Sequence, residues 1–247
     1  MRKTILGVLA FALVGASAHA APITPIFDDF GELSEATFNG SGIPNGAVAI
    51  STIVDGSNTI TLGLTATPRY SSNSVTNDGA GTFEAPVGTT LSPTNLLGST
   101  WNVSYYIAIT GGGTFANYAI SLLYDFDPAA GTDESALGIL DFDQAIDAVA
   151  QQGGAHAFVS EVQGSENLLF SFFANGALPF ITAPTPGVFN PFAVGEYSLA
   201  LTVDDLNGAE LGRSAILVNV NPVPEPGTLL LLGTGLLGLV AYRRRAA

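Results

Sequence analysis

The sequence predicts an all-β domain, a β-sandwich or jelly roll, over residues 21–222. Three features predict this class: short stretches in which apolar and polar residues alternate, Gly, Asn and Asp between these stretches, and no repeat of fixed length. Alternation places one face of each stretch toward a core, because neighbouring side chains of a strand point to opposite faces. About 200 residues are enough for one sizeable core, so a single domain is expected.

Three pairs of alternating stretches are predicted to be strands: residues 48–54 with 60–64, residues 101–109 with 116–124, and residues 197–203 with 216–220. The connections support this interpretation. Asp55-Gly56-Ser57-Asn58 and Asn207-Gly208 are turn sequences, since these residue types tolerate left-handed backbone or bond their own backbone. Gly111-Gly112-Gly113 is expected to reverse the chain between the middle two stretches.

Residues 133–152 are the only stretch predicted to be helical. Apolar residues recur there at spacings of three and four, and a glycine follows to end the helix; the residues are Ile139, Phe142, Ile146, Val149 and Gly153. Residues 158–173 are predicted to add one or two strands. Four prolines between residues 179 and 191 indicate a loop before the last hairpin.

The charge of residues 21–222 excludes several functions. This stretch has 20 acidic residues and only two basic ones, Arg69 and Arg213, which gives a formal charge of −18. Two arginines cannot supply the phosphate contacts of a nucleic-acid-binding protein. The stretch has no lysine for a Schiff base or a P-loop, and one histidine without cysteine cannot build a zinc site of several His or Cys. The acidic surface favours solubility outside the cell.

A metal site is suggested by four carboxylates in one acidic stretch: Asp125, Asp127, Asp133 and Glu134. Carboxylates two residues apart at the end of a strand can converge on Ca²⁺, which takes about six to eight oxygen ligands. The EF-hand pattern is absent, because its glycine position is Ala130. The favoured alternative is that Asp125 and Asp127 end a strand and Asp133 caps a helix. Calcium is the one cofactor that this sequence suggests.

Catalytic patterns are weak. The nucleophile motif GxSxG does not occur, and His156 lies in an apolar setting that is typical of a structural histidine. Glycoside hydrolysis needs only two facing carboxylates, and sequence spacing does not test for such a pair. No catalytic residue is predicted, and a hydrolase stays open as an alternative.

Residues 1–20 have the pattern of a secretory signal peptide. Met1-Arg2-Lys3 is positively charged, residues 4–15 are apolar, and Ala18 and Ala20 form a small-residue cleavage site before Ala21. The apolar run is shorter than the about 20 residues that a membrane-spanning helix needs. We therefore expect export through the Sec machinery and cleavage before Ala21.

Residues 223–247 have three parts in series. Val223, Pro224, Glu225 and Pro226 come first; prolines lack the N–H groups of a regular ladder, so this part is expected to stay extended and accessible. Residues 227–242 carry no charge and would span about 24 Å as a single transmembrane helix. Arg243, Arg244 and Arg245 follow, and positive charge at this place favours a cytoplasmic C-terminus.

These three parts together resemble the PEP-CTERM sorting signal of Gram-negative bacteria, the tag that the membrane enzyme exosortase processes. The resemblance covers about a tenth of the chain. It implies that the protein is exported, held transiently in the inner membrane, cut at or near Pro224-Glu225-Pro226, and delivered to the cell surface or the extracellular matrix.

The function expected from these observations is that of an exosortase-processed surface or biofilm-matrix protein. Its β domain would bind or fill extracellular polysaccharide without catalysing a reaction. One alternative is a secreted hydrolase that attacks this polysaccharide with paired carboxylates. Another is an adhesin or ice-binding module, which would need a flat face of regularly spaced threonines such as Thr59, Thr61 and Thr65.

Overall fold

The computed structural model describes residues 21–70 and 74–222. The predicted signal peptide, with Ala18 and Ala20, lies outside these ranges, as does the predicted sorting segment at residues 223–247. Ala21 is the first described residue. Within the described ranges, no helix is both long enough and apolar enough to cross a membrane.

The described chain consists mainly of strands, which confirms the all-β class. The strands are β1 (Asp29–Gly31), β2 (Val48–Asp55), β3 (Asn58–Pro68), β4 (Thr76–Asn77), β5 (Thr82–Pro86), β6 (Thr89–Leu91), β7 (Leu97–Ser99), β8 (Trp101–Thr110), β9 (Ala119–Tyr124), β10 (Gly138–Asp141), β11 (Glu161–Glu166), β12 (Ile181–Thr182), β13 (Gly195–Asp204) and β14 (Glu210–Asn221). The helices are α1 (Phe142–Ala150) and α2 (Ser171–Asn175), with 3-10 turns at Phe115–Asn117, Glu134–Ala136 and Ala155–Phe158.

Two larger sheets contain most of these strands. One has the order β1-β2-β3-β8-β11, with all neighbours antiparallel. The other has the order β12-β10-β9-β13-β14-β5-β4, in which β14 and β5 run parallel. Strands β6 and β7 form a separate small hairpin. The inner faces of both larger sheets contribute to one hydrophobic cluster.

The hairpins β2/β3 and β13/β14 form as the sequence predicts. In the first, Asp55 pairs with Asn58, so only Gly56 and Ser57 lie in the turn. Gly56 has φ of +59°, a left-handed conformation that glycine adopts without steric cost. Alternation then directs the side chains of Ile60 and Leu62 into the core, where both are fully buried.

The predicted pairing of residues 101–109 with residues 116–124 is wrong. Strand β8 belongs to the five-stranded sheet and β9 to the seven-stranded sheet, so the glycines between them carry the chain from one sheet to the other. At Gly111 a Cβ atom would lie 2.0 Å from the carbonyl oxygen of Ser57, so the crossing passes directly against the β2/β3 turn. The Tyr118 hydroxyl fixes this crossing by donating to Asp55 at 3.1 Å and accepting from Asn58 at 2.9 Å.

The predicted helix over residues 133–152 is correct only in its second half. Its first half forms a 3-10 turn and then β10, which pairs with β9 and β12. Gly138 favours the strand over the helix at this point. A Cβ atom at residue 138 would lie 2.3 Å from the Tyr124 ring, so the buried ring packs directly against the glycine backbone. Helix α1 begins after Asp141, whose side chain accepts the N–H of Gln144 at 3.0 Å. Its last residue is Ala150, and Gln151 caps it in the left-handed conformation, two residues before the predicted stop at Gly153.

The stretch at residues 158–173 contributes one strand, β11, and the start of a short helix, α2.

Loop residues cover the outer face of the five-stranded sheet, where Leu33 and Phe38 pack against Val48. The Thr65 hydroxyl is buried there and donates to the carbonyl of Ala47 at 2.7 Å. Thr59, Thr61 and Thr65 therefore do not form the open threonine face that an ice-binding module needs.

The side chain of Asn167 connects β11 to the beginning of β8. Asn167 is buried, with only 1% of its surface exposed. Its oxygen accepts the N–H groups of Ser99 at 2.9 Å and Leu169 at 3.2 Å. Its nitrogen donates to the carbonyls of Ser99 at 3.2 Å and Trp101 at 2.9 Å, and to the Asn102 side chain at 2.6 Å. One buried amide thus satisfies polar groups from two segments of chain, residues 99–102 and Leu169.

We expect Asn167→Ala to lower the free energy of unfolding by about 2–4 kcal/mol, because it leaves several buried backbone groups without partners. The measurement is chemical denaturation of the purified protein. Asn207→Ala, in the exposed turn between β13 and β14, is the matched control and should cost less than about 1 kcal/mol. Equal losses for the two variants would contradict a structural role for the Asn167 amide.

Candidate functional site

Asp125 and Asp127, two of the four predicted calcium ligands, lie directly after β9. The Asp125 carboxylate is buried and accepts the N–H groups of Asp127 at 2.8 Å and Ser198 at 3.3 Å. Burial raises the pKa of Asp125, and these hydrogen bonds oppose the rise. Asp127 accepts the N–H of Ala129 at 3.0 Å. Both side chains therefore complete the turn that follows the strand.

The other two predicted ligands have different roles. Asp133 caps the 3-10 turn Glu134–Ala136 by accepting the N–H of Ser135 at 2.9 Å. Glu134 forms an ion pair with Arg213, with 2.8 Å between Oε2 and Nη1. Among the residues that the structure describes, no three His, Cys, Asp or Glu side chains are placed to hold a metal ion. The structure thus brings no calcium-binding set together from these four residues.

Arg213 links strand β14 to two acidic residues. Besides Glu134, its guanidinium contacts Glu210, with 2.7 Å between Nε and Oε1. The hydrogen bonds to Glu210, and then those to Glu134, hold the pKa of Arg213 above its usual value. One of the two basic residues of residues 21–222 is therefore used inside the structure, to connect segments 79 positions apart.

His156 lies beside the C-terminal end of α1 and bonds to Asp147, with 2.9 Å between Nδ1 and Oδ1. Asp147 also accepts the backbone N–H groups of Gly154 at 2.8 Å and His156 at 3.0 Å, which lower its pKa to about 2. The same helix carries Asp143, whose pKa burial raises to about 6, with a further rise from Asp141. These contacts join α1 to the 3-10 turn after it.

The candidate functional site is a cavity of about 740 Å³ on the outer side of the five-stranded sheet, which we call the outer groove. Its aromatic residues are Tyr70 and Phe170, and polar side chains from several separate segments complete its walls. Its lining residues include Arg69, Tyr70, Ser92, Thr94, Asn102, Ser165 and Phe170. This size falls within the range of about 300–1,000 Å³ that is typical of ligand sites.

Arg69 organises the aromatic side of the outer groove. Its guanidinium carbon lies 5.6 Å from the ring centre of Tyr70 and 5.5 Å from that of Phe170, distances typical of cation–π contacts. Its Nη2 donates to the carbonyl of Leu96 at 3.0 Å. The guanidinium lies directly over Gly98, where a Cβ atom would be 1.3 Å from Nη1. Only glycine at that position leaves space for this arrangement.

A chain of hydroxyl and amide groups forms the floor of the outer groove. Ser165 receives hydrogen bonds from Asn102 at 3.1 Å and from Ser104 at 2.9 Å. Ser104 lies 2.7 Å from the hydroxyl of Thr67. Tyr70, which also lines the groove, is 43% exposed, so part of this residue is accessible to a ligand. The groove therefore offers an aromatic face beside polar groups that are held in fixed positions.

Sequence reasoning did not find this groove. Its two aromatic residues are separated by a hundred positions, and its polar residues lie on β8, on β11 and in the loop before β7. One local signal was present: Arg69-Tyr70 places one of only two basic residues of the acidic domain beside an aromatic ring.

Comparison with known proteins identifies the C-terminal segment. Residues 222–245 match the family model of the PEP-CTERM protein-sorting motif. The chain carries a PEP-CTERM sorting motif. The motif supports an exported protein that is targeted to exosortase, as the sequence predicts. The matched residues include Val223, Pro224, Glu225 and Pro226 and the cluster Arg243, Arg244 and Arg245, all of which lie outside the described residues. No curated protein and no solved structure matches the chain.

We expect Asp143→Asn to stabilise the protein more at neutral than at acidic pH. The raised pKa means that the folded state holds this proton more tightly than the unfolded state. The resulting stability is complete below the ordinary value of 3.8 and is lost as the pH rises through about 6. Asparagine does not ionise, so the variant's free energy of unfolding, relative to wild type, should increase between acidic and neutral pH by about 1–2 kcal/mol, less than the about 3 kcal/mol of the full pKa shift because solvent screens this half-buried carboxyl. Chemical denaturation of both proteins at several pH values measures this difference in free energy of unfolding. A difference that is constant with pH would contradict a raised pKa of Asp143.

Proposed function

We propose that this PEP-CTERM protein is a surface or matrix protein whose β domain binds extracellular polysaccharide in the outer groove without catalysing a reaction. The observation that carries the proposal is the partly exposed Tyr70 beside a floor of hydroxyl and amide groups. The PEP-CTERM motif supports the destination, since it marks a protein exported to the cell envelope.

The chemistry of the outer groove suits a sugar chain. A pyranose ring has apolar C–H faces, which can pack on an aromatic ring, and hydroxyl groups at its edge, which both donate and accept hydrogen bonds. Serine, threonine and asparagine side chains also do both. Ser92, Thr94 and Asn102 are therefore suitable partners for the edge of a sugar that packs on Tyr70.

The charge of the domain favours a neutral polymer. Residues 21–222 have a formal charge of −18, so an anionic polysaccharide is repelled at low ionic strength. Arg69, the basic residue of the groove, is 4% exposed and stacks on the aromatic rings, which leaves little of its charge at the surface. A neutral glucan is consequently the favoured class of ligand.

The positions of the acidic residues support a binding role. The described residues that line the outer groove include no Asp or Glu, whereas glycoside hydrolysis needs two facing carboxylates. Glu166 has a raised pKa, but burial is its only cause, and no second carboxylate contributes. The pKa of Asp143 is raised first by burial and then by the carboxylates of Asp141 and Asp147, which accept backbone N–H groups around α1. Neither Glu166 nor Asp143 lines the outer groove.

We also interpret the two larger sheets as the layers of a β-sandwich. The support for this is their common core, in which Trp101 of β8 lies near Tyr197 of β13, with 6.2 Å between ring centres. Phe189 packs against both rings, at 6.2 Å and 5.4 Å. In this arrangement the outer groove lies on the surface of one layer, accessible to a long polymer.

For the sorting route, we infer that residues 227–242 hold the exported chain in the inner membrane until exosortase cuts at or near Pro224-Glu225-Pro226. The positive cluster Arg243, Arg244 and Arg245 stays on the cytoplasmic side, in agreement with the positive-inside rule. The domain itself is then released outward.

Replacing Pro224, Glu225 and Pro226 with alanine should leave the protein in the inner-membrane fraction, because the accessible cleavage segment is lost. Fractionation of the producing cells, followed by immunoblotting, measures this. The unchanged protein in a host that lacks exosortase is the control and should also be retained. Normal release of the alanine variant would contradict the role of the motif.

Tyr70→Ala should weaken binding to a neutral glucan such as dextran about three- to tenfold, the amount expected for one aromatic packing contact. The processed protein, purified from a host that contains exosortase, is titrated with dextran and with anionic alginate, and we expect dextran to bind more tightly. Phe158→Ala is the matched control: it removes another exposed aromatic ring, outside the groove, and should leave binding unchanged.

Two results would overturn the polysaccharide proposal. One is equal loss of dextran binding in the Tyr70 and Phe158 variants, which would mean that binding is not located in the outer groove. The other is the appearance of reducing sugar ends during incubation with wild type, which would favour the hydrolase alternative.

A further inference from the structure

A second cavity, which we call the edge pocket, lies between strand β11 and helix α1, at the side where both larger sheets end. Its volume is about 530 Å³. Most of its surface is apolar, and it is lined by Asn39, Tyr105, Leu140, Phe142, Ala145, Ile146, Val149, Ala150, Val159, Val162, Gln163, Glu166, Phe172, Leu178 and Phe180. This volume is sufficient for a small organic molecule.

The apolar side of α1 forms one wall of the edge pocket. Phe142 packs edge-on against Tyr105, with 5.0 Å between ring centres, and closes the inner end. Ile146 and Val149 continue the same side of the helix outward, and Val149 is 84% exposed. An apolar ligand would remove this surface from water, which is favourable by about 25 cal/mol per Å² of area buried.

One charged side chain lines this apolar cavity among the described residues, that of Glu166. Val162, Gly164 and Glu166 alternate along β11 and face the interior, opposite Ile107, Tyr105 and Val103 of β8. No hydrogen bond or ion pair within the described part of the chain involves the Glu166 carboxylate. Burial raises the pKa of Glu166, because no charge or hydrogen bond from the described residues offsets the cost of burying its carboxylate.

Tyr105 places a hydroxyl beside this carboxylate. At Gly164 a Cβ atom would lie 2.6 Å from the Tyr105 hydroxyl oxygen, so the glycine allows the ring to cross β11. Burial, and then the charge of Glu166, raise the pKa of Tyr105, so it stays a neutral hydrogen-bond donor or acceptor. The polar end of the pocket thus holds one carboxylate and one neutral hydroxyl.

We propose that the edge pocket binds a small molecule with an apolar body and a protonated amine, which forms an ion pair with Glu166. Charge complementarity carries the choice: an amine supplies the missing positive charge, and its N–H groups can reach both oxygen atoms of the carboxylate. The formal charge of −18 attracts cations and repels anionic amphiphiles. The apolar walls exclude small hydrophilic cations, which gain nothing from them.

This site is separate from the outer groove. Ser165 and Glu166 are neighbours in the chain, but they point to opposite faces of β11. Ser165 lines the outer groove and Glu166 lines the edge pocket. Tyr70 does not line the edge pocket, and Glu166 does not line the outer groove. The polysaccharide proposal and the amine proposal can therefore fail independently.

The test compares three probes of equal chain length, octylamine, octanol and octanoate, by calorimetric titration of the processed protein. Octylamine should bind wild type about tenfold more tightly than octanol, and octanoate should bind more weakly than either. Glu166→Gln should remove the preference for the amine and leave octanol binding unchanged. Glu161→Gln, which removes an exposed carboxylate from the same strand, is the matched control and should preserve the preference.

Equal affinity of wild type for octylamine and octanol would overturn the proposal, and this comparison needs no variant. An equal loss of amine binding in Glu161→Gln and Glu166→Gln would also overturn it, because it would indicate a general attraction of cations to the acidic surface. Octanol binding reports whether the pocket of each variant is intact. Ethylamine, which has the charge without the apolar body, should not compete with octylamine.

Discussion

The buried amide of Asn167 holds together the chain segments from which both cavities are built. It fixes Ser99 and Trp101, at the start of β8, against the end of β11. On one side of this connection lie Ser165 and Glu166, one for each cavity. On the other side, the N–H of Phe170 bonds to the Asn167 carbonyl at 2.9 Å, which positions the ring that stacks on Arg69. The register of a single edge strand therefore determines the shape of both sites.

An exported domain without cysteine must obtain its stability from packing and internal polar contacts. Its two basic residues are placed accordingly. Arg213 joins β14 to Glu134 and Glu210, and Arg69 lies between the rings of Tyr70 and Phe170. Both cations are used as internal connections, so the outer surface is left almost entirely to acidic residues. The same distribution favours solubility and leaves Glu166 without a cationic partner among the described residues of the edge pocket, where we propose that an amine binds.

The parts that could be predicted from sequence are local in the chain. The hairpin β2/β3 follows from alternation on both sides of a short turn, and the sorting motif is one continuous segment. The position of β9 was not predictable, because alternation gives the buried face of a strand but not its neighbour in the sheet. The spacing of Ile139 from the next apolar residues predicts a helix. In the structure Ile139 lies in strand β10, next to Gly138, whose backbone packs against the Tyr124 ring. The candidate groove depends on such distant contacts throughout.

The sorting motif begins directly after β14, the last strand that the structure describes. Asn221, the last residue of β14, pairs with Pro86 of the parallel strand β5, and its carbonyl accepts the N–H of Val87 at 2.9 Å. Because β14 has β13 on one side and β5 on the other, its register is held along its whole length without any residue of the motif. A cut at or near Pro224 therefore removes no strand pairing of the described domain.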